Sequence, residues 1–98
     1  MTKEGVLVAL RAHRAEWSGF GVKSLALFGS VVRGEATASS DVDVLVEFEE
    51  GRRIGLLAFI SLKQRLEDVL GCRVDLATPE ALRGPARDRI LREAVHAA

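Results

Sequence analysis

Two aspartates, Asp41 and Asp43, open a segment that otherwise has the composition of a buried β-strand. Valine, leucine and phenylalanine fill most of the positions from Val42 to Phe48, whereas aspartate is depleted from strands. Residues two apart in a strand point to the same face, about 6.5–7 Å apart along the chain. Carboxylate oxygens at this spacing suit a hard divalent cation such as Mg²⁺, which is usually shared with substrate phosphates. The pair therefore predicts a metal site that handles phosphates.

A glycine-serine turn, Gly29-Ser30, precedes this pair and follows a short apolar run. If a short helix begins there, its unpaired N–H groups and partial positive charge make an anion site, although the same dipeptide is common in turns that bind nothing. Gly29 lets the backbone approach a ligand closely, and the Ser30 hydroxyl adds a donor. Arg33 has two open interpretations. It contacts a nucleotide phosphate as a bidentate donor, or it pairs with Asp41 or Glu35 to hold the loop.

A third acid, Asp75, lies between Val74 and Leu76 in another predicted strand. It could simply face solvent, but three acids in strand contexts are explained more economically as one triad. Such a triad would hold two divalent ions, one on the leaving phosphates and one on the attacking hydroxyl. Asp75 would then lie nearest that hydroxyl and assist its deprotonation.

Other phosphate-binding and catalytic patterns are missing from the sequence. It contains no G-x-x-x-x-G-K-[ST] loop, no G-x-G-x-x-G fingerprint, no zinc-ligand spacing and no supported Ser-His-Asp set. We expect His13, within the first predicted helix, and His96, near a frayed helix end, to be structural or exposed. The three aspartates remain the best candidates for chemistry.

The composition indicates a single small domain spanning residues 1–98. The chain is 48% hydrophobic and balances 14 basic against 14 acidic residues, which argues against a general nucleic-acid or membrane-surface binder. Arginines near the C-terminus alternate with acids and favour a solvated helix face. The single Cys72 cannot form an internal disulfide and is best read as a small buried residue, and no run approaches the length of a membrane span. We expect a soluble, cytoplasmic protein.

Hydrophobic periodicity predicts helices that alternate with strands. Strands are predicted at 22–28, 41–48 and 72–77, and helices at 2–18, 31–36, 54–70 and 85–96, with Thr78-Pro79-Glu80 starting one further helix that Gly84-Pro85 interrupts. Thr2 is the expected N-cap of the first helix, and Gly71 the residue that ends the 54–70 helix.

The predicted apolar stripes define which helix faces should be buried. They comprise Val6, Leu7, Leu10, Arg14 and Trp17 in the first helix, Leu56, Leu57, Ile60, Leu62, Leu66, Val69 and Leu70 in the 54–70 helix, and Ile90, Leu91, Ala94 and Val95 in the last. The fold class is therefore α/β, with helices packed on a sheet of at least three strands.

Four motifs carry a resemblance to a known family: Gly29-Ser30, Arg33-Gly34, Ser40-Asp41-Val42-Asp43 and Val74-Asp75-Leu76. Over residues 22–82 the sequence resembles the minimal nucleotidyltransferases (MNT type) of the DNA polymerase beta superfamily. The resemblance implies an α/β (α+β) fold with a small mixed sheet. It assigns Mg²⁺, as two ions, to Asp41 and Asp43, with Asp75 matching the third acid by its context. It assigns the nucleotide phosphates to Gly29 and Ser30, with Arg33 and Ser40 counted among the nucleotide-binding residues.

The resemblance also implies a partner. Family members of this size are often antitoxins that silence a HEPN-type ribonuclease toxin by moving AMP from ATP onto a tyrosine. A short domain has little surface left for an acceptor pocket, so a second chain is the expected source of the acceptor hydroxyl, in a hetero-oligomer without direct nucleic-acid or membrane contacts.

Two alternatives stay open at this point. A binding module could neutralise the partner by occlusion alone, with no transfer. A small-molecule nucleotidyltransferase, acting for example on an aminoglycoside, could build its acceptor site at a homodimer interface. The sequence identifies neither the base of the nucleotide nor the acceptor, the number of nucleotides transferred or the oligomeric state.

Overall fold

Four strands form one mixed sheet in the computed structural model, which describes residues 2–98. The strands are β1 (Val22–Phe28), β2 (Val42–Phe48), β3 (Val74–Ala77) and β4 (Val95–His96). Their order across the sheet is β3-β2-β1-β4. Strand β1 runs antiparallel to β2 and β4, and β2 runs parallel to β3. The predicted α/β class and mixed sheet are confirmed.

Five helices and one short turn connect these strands. The helices are α1 (Lys3–Ala12), α2 (Arg14–Gly19), α3 (Ser30–Arg33), α4 (Leu56–Leu70) and α5 (Gly84–Glu93), and a 3₁₀ turn covers Pro79–Ala81. None of the helices among residues 2–98 combines the length and apolarity needed to cross a membrane.

Helices α1, α2, α3 and α4 pack against one face of the sheet. Alternate residues of β1, β2 and β3 point towards these helices and form the hydrophobic core with helix residues that are spaced three or four positions apart. The core comprises Val22, Leu25, Leu27, Val42, Val44, Val46, Val74 and Leu76 from the strands, Val6, Leu7, Leu10, Trp17, Val31, Leu62, Leu66 and Leu70 from the helices, and Ala97 after β4. Because strand side chains alternate, the intervening residues, including Asp43 and Asp75, point to the opposite face.

Several predicted boundaries are confirmed by local contacts. The Thr2 hydroxyl accepts a hydrogen bond from the Gly5 N–H at 3.1 Å and so caps α1. Gly71 ends α4 in the left-handed region, at a φ of 70°, where only glycine is free of steric cost. Strand β1 has the predicted bounds, whereas β2 and β3 begin one and two residues later than predicted. Helix α3 begins and ends earlier than the predicted 31–36 segment.

The prediction of one continuous first helix is wrong, because the helix breaks at His13. In an uninterrupted helix the Leu10 carbonyl would accept from Arg14. Here it accepts from the His13 N–H at 3.3 Å and from the buried indole N–H of Trp17 at 2.8 Å. Anchoring Trp17 in the core therefore favours a second, reoriented helix. Arg14, assigned to the apolar stripe, is exposed.

The first turn of α4 is also more exposed than predicted. Leu56 is 74% exposed and Leu57 81% exposed, and Ile60 is 39% exposed. The buried line of α4 consists of Leu62, Leu66 and Leu70, which recur every four residues. Helix α4 therefore packs against the core through a narrow line of leucines in its C-terminal part. The sequence predicts a broader apolar face.

The C-terminal segment differs most from prediction. Helix α5 ends at Glu93 instead of continuing to His96, and Val95–His96 forms the edge strand β4. The backbone of Leu25 donates to Ala98 and accepts from Ala97, both at 2.8 Å, and Ala97 is fully buried. Pairing the open edge of β1 satisfies backbone groups that a longer helix would leave bare. Leu91, predicted to be buried, is 40% exposed.

The helix predicted from Thr78 reduces to the single turn Pro79–Ala81, and Thr78 makes no capping hydrogen bond. Gly84, at a φ of 64°, opens α5, one residue before the predicted start. Cys72 is partly buried against the core, somewhat more open than predicted.

The buried face of α4 yields a stability prediction. We expect Leu66→Ala to lower the free energy of unfolding by about 2–5 kcal/mol, because it removes a fully buried side chain. The exposed Leu57→Ala, on the same helix, should change it by less than about 0.5 kcal/mol. Urea unfolding followed by circular dichroism measures both values. Equal losses would contradict this assignment of the buried face.

Candidate active site

The three aspartates lie together on the face of the sheet opposite the helical core. In the parallel pairing of β2 with β3, Asp43 is directly opposite Asp75, so the two side chains point to the same face. Asp41 immediately precedes β2, two residues before Asp43. The structure therefore brings together the three acids that the sequence singles out. Asp41 and Asp75 are exposed, and Asp43 is partly buried between them.

The chain holds β3 in this register with a side chain that the sequence analysis overlooked. The Glu67 carboxylate, on α4, accepts a hydrogen bond from the Val74 N–H at 3.0 Å. On the other side, the Val42 N–H donates to the Arg73 carbonyl at 3.0 Å. These bonds lie one residue before Asp75 and Asp43 respectively, and they fix the position at which the two carboxylates meet.

Crowding raises the pKa of Asp43 from 3.8 to about 6. Partial burial is the largest cause, because it disfavours the charged form. The negative charges of Asp75 and then Asp41 raise this pKa further, as does a hydrogen bond with the Asp75 carboxyl, while Arg33 lowers it. The site thus concentrates negative charge that a cation would relieve.

Gly29 makes room for the Asp43 carboxylate. A Cβ atom at position 29 would lie 2.0 Å from Asp43 Oδ2, far inside van der Waals contact. Gly29 also has a φ of 75° and a ψ of −151°, a backbone conformation that is essentially restricted to glycine. The group that approaches Gly29 closely here is thus the Asp43 carboxylate, and the expected approach of a ligand to this glycine stays a prediction. Ser30 follows directly and opens α3.

Arg33 pairs with two carboxylates, one of which the sequence analysis missed. Its Nε donates to Glu35 Oε1 at 2.7 Å, and its Nη1 donates to Glu93 Oε1 at 3.1 Å. Of the two pairings considered from sequence, Glu35 is found, whereas Asp41 pairs with Arg73 at 3.3 Å instead. Glu93 lies 60 residues from Arg33 at the end of α5, so no local sequence pattern connects them.

Ser40 has a local role in the loop before β2. Its hydroxyl accepts a hydrogen bond from the Thr37 N–H at 2.9 Å and lies 3.2 Å from the Thr37 hydroxyl. The bond fixes the turn that delivers Asp41. The Asp41–Arg73 pair, in contrast, is exposed, and such pairs contribute little, so Asp41 can exchange this partner for a ligand.

The donor set fits a metal that is shared with its substrate. Within residues 2–98, no group of three or more His, Cys, Asp or Glu side chains is already arranged to hold an ion by itself. Mg²⁺ rarely occupies a cage made only of protein atoms, and it takes one or two carboxylates plus waters and substrate phosphates. Asp41, Asp43 and Asp75 supply hard oxygen donors of this type, and the pKa of Asp43 is raised first by partial burial and then by the charges of Asp75 and Asp41.

Two surface cavities flank α3. One, of about 460 Å³, includes Thr2, Lys3 and Arg33 in its lining. The other, of about 190 Å³, includes Ser40, Asp41 and Cys72. Asp43 and Asp75 line neither of them, so the central carboxylates lie on an open face rather than inside these cavities.

A protein-family model described as a nucleotidyltransferase domain matches residues 9–96. The chain belongs to the nucleotidyltransferase family. The match includes all three aspartates and the glycine-serine turn, and it extends to the edge strand β4.

Relatives of this nucleotidyltransferase support the same classification. This chain is 45% identical over 97 residues to protein adenylyltransferase MntA of Thermococcus cleftensis. The alignment covers 98% of this chain and 96% of that protein. A solved structure described as a "putative minimal nucleotidyltransferase" is 41% identical, with a TM-score of 0.79 over 97% of this chain and 95% of the other.

A third similarity concerns the fold alone. The structure of a tri-AMPylated Shewanella oneidensis HEPN toxin in complex with MNT antitoxin is matched at 16% identity. Its TM-score is 0.66, over 95% of this chain and 71% of the other.

The close approach at Gly29 predicts a matched pair of variants. Gly34 has nearly the same φ, 74°, but a Cβ there meets no atom within 4 Å. We expect Gly34→Ala to lower the free energy of unfolding by about 1–2 kcal/mol through backbone strain alone. Gly29→Ala should cost more, because its ψ of −151°, unlike the ψ of 20° at Gly34, is closed to alanine, and because the new Cβ displaces Asp43. Equal losses, with an unchanged Asp43 carboxyl signal by NMR, would contradict the close approach.

The raised pKa of Asp43 predicts a pH-dependent gain in stability on removing its charge. The folded state keeps the Asp43 proton to higher pH than the unfolded chain, so stability falls as the pH rises between 3.8 and about 6. Asp43→Asn removes this cost. We expect it to raise the free energy of unfolding by roughly 1 kcal/mol at neutral pH without Mg²⁺, after allowance for solvent screening, and to give no gain below pH 3.8.

Denaturant titrations at several pH values measure this difference. Asp88→Asn, which removes the same charge from an exposed position on α5, is the control and should change stability little. A loss of stability in Asp43→Asn at neutral pH would show that the Asp43 carboxylate is stabilised rather than strained.

Proposed function

We propose that this nucleotidyltransferase moves AMP from ATP to a tyrosine hydroxyl of a HEPN-type toxin, in a Mg²⁺-dependent reaction, and so acts as an antitoxin. The observation that carries the proposal is the convergence of three carboxylates beside the Gly29-Ser30 turn. The name of the Thermococcus relative, protein adenylyltransferase, supports both the nucleotide and the class of acceptor. The toxin-antitoxin complex with the same fold supports the partner.

The Gly29-Ser30 turn and the strands β2 and β3 would contact different parts of the nucleotide. The backbone and hydroxyl of Ser30 and the N–H of Gly29 would bind the phosphates, with Arg33 contributing a bidentate cation. Ser40, which shapes the loop before β2, would position the nucleotide through Asp41. The α-phosphate would then lie between this turn and the carboxylates of β2 and β3.

Asp41, Asp43 and Asp75 would hold two Mg²⁺ ions, with Asp41 and Asp43 as the main ligands. When bound, Mg²⁺ supplies neutralisation of the triphosphate charge and a lowered pKa for the attacking hydroxyl. Asp75 is exposed and adjacent to Asp43, a position from which it can receive a proton from an acceptor that approaches the open face.

The transfer balances as a displacement at phosphorus. The phenolic oxygen forms a bond to the α-phosphorus, and the bond from that phosphorus to the bridging oxygen of the β-phosphate breaks. Pyrophosphate takes the electron pair and leaves in line. The phenolic proton passes to Asp75 and then to solvent.

The acceptor must come from another molecule if it is a tyrosine. The chain contains no tyrosine, so it cannot modify itself on this residue type. The carboxylates lie on an open face, and two of the three are exposed. A partner chain can therefore bring its hydroxyl directly to the site.

The catalytic role of the triad predicts a loss of transfer in Asp43→Ala. With ATP radiolabelled at the α-phosphate, Mg²⁺ and a HEPN-type toxin, we expect the native chain to label the toxin and Asp43→Ala to reduce labelling at least about a hundredfold. Glu47→Gln is the matched control, because Glu47 is an exposed acid further along the same strand. It should retain activity.

The same variants separate catalysis from occlusion. If the protein acts by transfer, Asp43→Ala should fail to neutralise the toxin while still binding it. Full neutralisation by Asp43→Ala would favour a binding module, and labelling of a small molecule but not of the toxin would favour the small-molecule enzyme. Mass spectrometry of the labelled toxin identifies the modified residue and the number of AMP groups.

A further inference from the structure

Glu93, the last residue of α5, inserts its carboxylate against the turn that precedes α3. Glu93 Oε1 accepts hydrogen bonds from the Gly29 N–H at 2.9 Å and from Arg33 Nη1 at 3.1 Å, and Oε2 lies 3.3 Å from the same Arg33 nitrogen. The Glu93 side chain is only 19% exposed. One carboxylate thus bridges a backbone donor and a guanidinium.

These two donors are the ones that the proposed function assigns to the nucleotide phosphates. A carboxylate and a phosphate present similar anionic oxygens, and both form charge-assisted hydrogen bonds with N–H groups and with arginine. The Gly29 N–H has a single hydrogen to donate. A phosphate oxygen can take that hydrogen only if the Glu93 carboxylate releases it.

We infer that the Glu93 carboxylate is a tethered anion, which in the nucleotide-free protein occupies the hydrogen-bond donors that would bind phosphate. The triphosphate of an incoming nucleotide must displace this carboxylate. The inference rests on the proposed function, since it concerns the same site. Glu93 reaches the turn from the end of α5, directly before β4, so displacement also releases one of the contacts that hold α5.

The contacts of Glu93 are consistent with a stable but replaceable interaction. The Gly29 N–H is the main cause that lowers the pKa of Glu93, followed by the hydrogen bond and charge of Arg33, and Arg89 acts in the same direction. The carboxylate is therefore ionised at neutral pH. Because it is held by the chain rather than by a pocket of its own, it competes as a local ligand at a fixed effective concentration.

The displacement model predicts tighter nucleotide binding when the carboxylate is neutralised or removed. If the donors are free only about 10–30% of the time, the apparent dissociation constant is raised by the inverse of that fraction. We therefore expect Glu93→Gln and Glu93→Ala to bind ATP in the presence of Mg²⁺ about three- to tenfold more tightly than the native chain. Isothermal titration calorimetry measures the affinity directly, without any acceptor.

Two controls separate local competition from general charge effects. Glu50→Gln removes one negative charge from the exposed turn that follows β2, at the opposite end of that strand from Asp43, and should change the affinity less than about twofold. Glu35→Gln frees Arg33 Nε but leaves the Gly29 N–H occupied, so its gain should be smaller than that of Glu93→Gln. Inorganic tripolyphosphate should reproduce the ranking, because the competition concerns phosphates rather than the base.

A second readout reports the contact itself. In the native chain, saturating ATP should shift the Gly29 amide resonance away from its nucleotide-free position. In Glu93→Ala the nucleotide-free resonance should already differ from the native one. Circular dichroism checks that Glu93→Gln and Glu93→Ala are each folded. If one of these variants is unstable, the other still provides the test.

The outcomes distinguish the inference from the function on which it rests. Unchanged or weaker ATP binding in folded Glu93 variants, with measurable binding by the native chain, would overturn displacement and make Glu93 a brace that positions the turn. Absence of ATP binding in the native chain and in every variant would overturn the nucleotide site, and the inference with it.

Discussion

The contact between the Gly29 backbone and the Asp43 carboxylate is the constraint on which the site depends. The Asp43 carboxylate can lie on the inner strand β2 only because the neighbouring strand β1 is followed by a residue without a side chain. The same glycine turns the chain into α3, so one backbone position both clears space for the acid and starts the turn beside it. The residues that we propose for metal ligation and for phosphate binding therefore lie within one short region.

Clustering three carboxylates lowers the stability of the folded chain, and it supplies the oxygen atoms that a metal ion would need. Three carboxylates face each other on one side of a sheet whose other side is an ordinary apolar core. Partial burial raises the pKa of Asp43, and repulsion from Asp75 and Asp41 raises it further, while Asp41 and Asp75 themselves remain exposed. A small domain can accept one such cost when the core is well packed, and the strain is concentrated where a cation would relieve it.

The sequence predicts the central features of this protein because they follow from local rules. The strand alternation around Asp43 and Asp75, the cap at Thr2 and the glycine that ends α4 each depend on a few neighbouring residues, and all are found. What the sequence could not predict depends on contacts between distant segments. The break at His13 follows from the burial of Trp17 in the core. The edge strand β4 forms because β1 needs a partner on its open edge. The contact of Glu93 with Arg33 joins residues that are 60 positions apart in the sequence.

The shape of the reaction face has a kinetic consequence. Because Asp43 and Asp75 line neither flanking cavity, water can reach them as easily as an acceptor can. A docked protein acceptor would exclude solvent as it supplies its hydroxyl, so productive turnover and protection from wasteful hydrolysis would arise in the same encounter. Turnover would then rise with the concentration of the acceptor chain until all of the enzyme is bound, and nucleotide would be lost to hydrolysis mainly in the enzyme that has no acceptor bound.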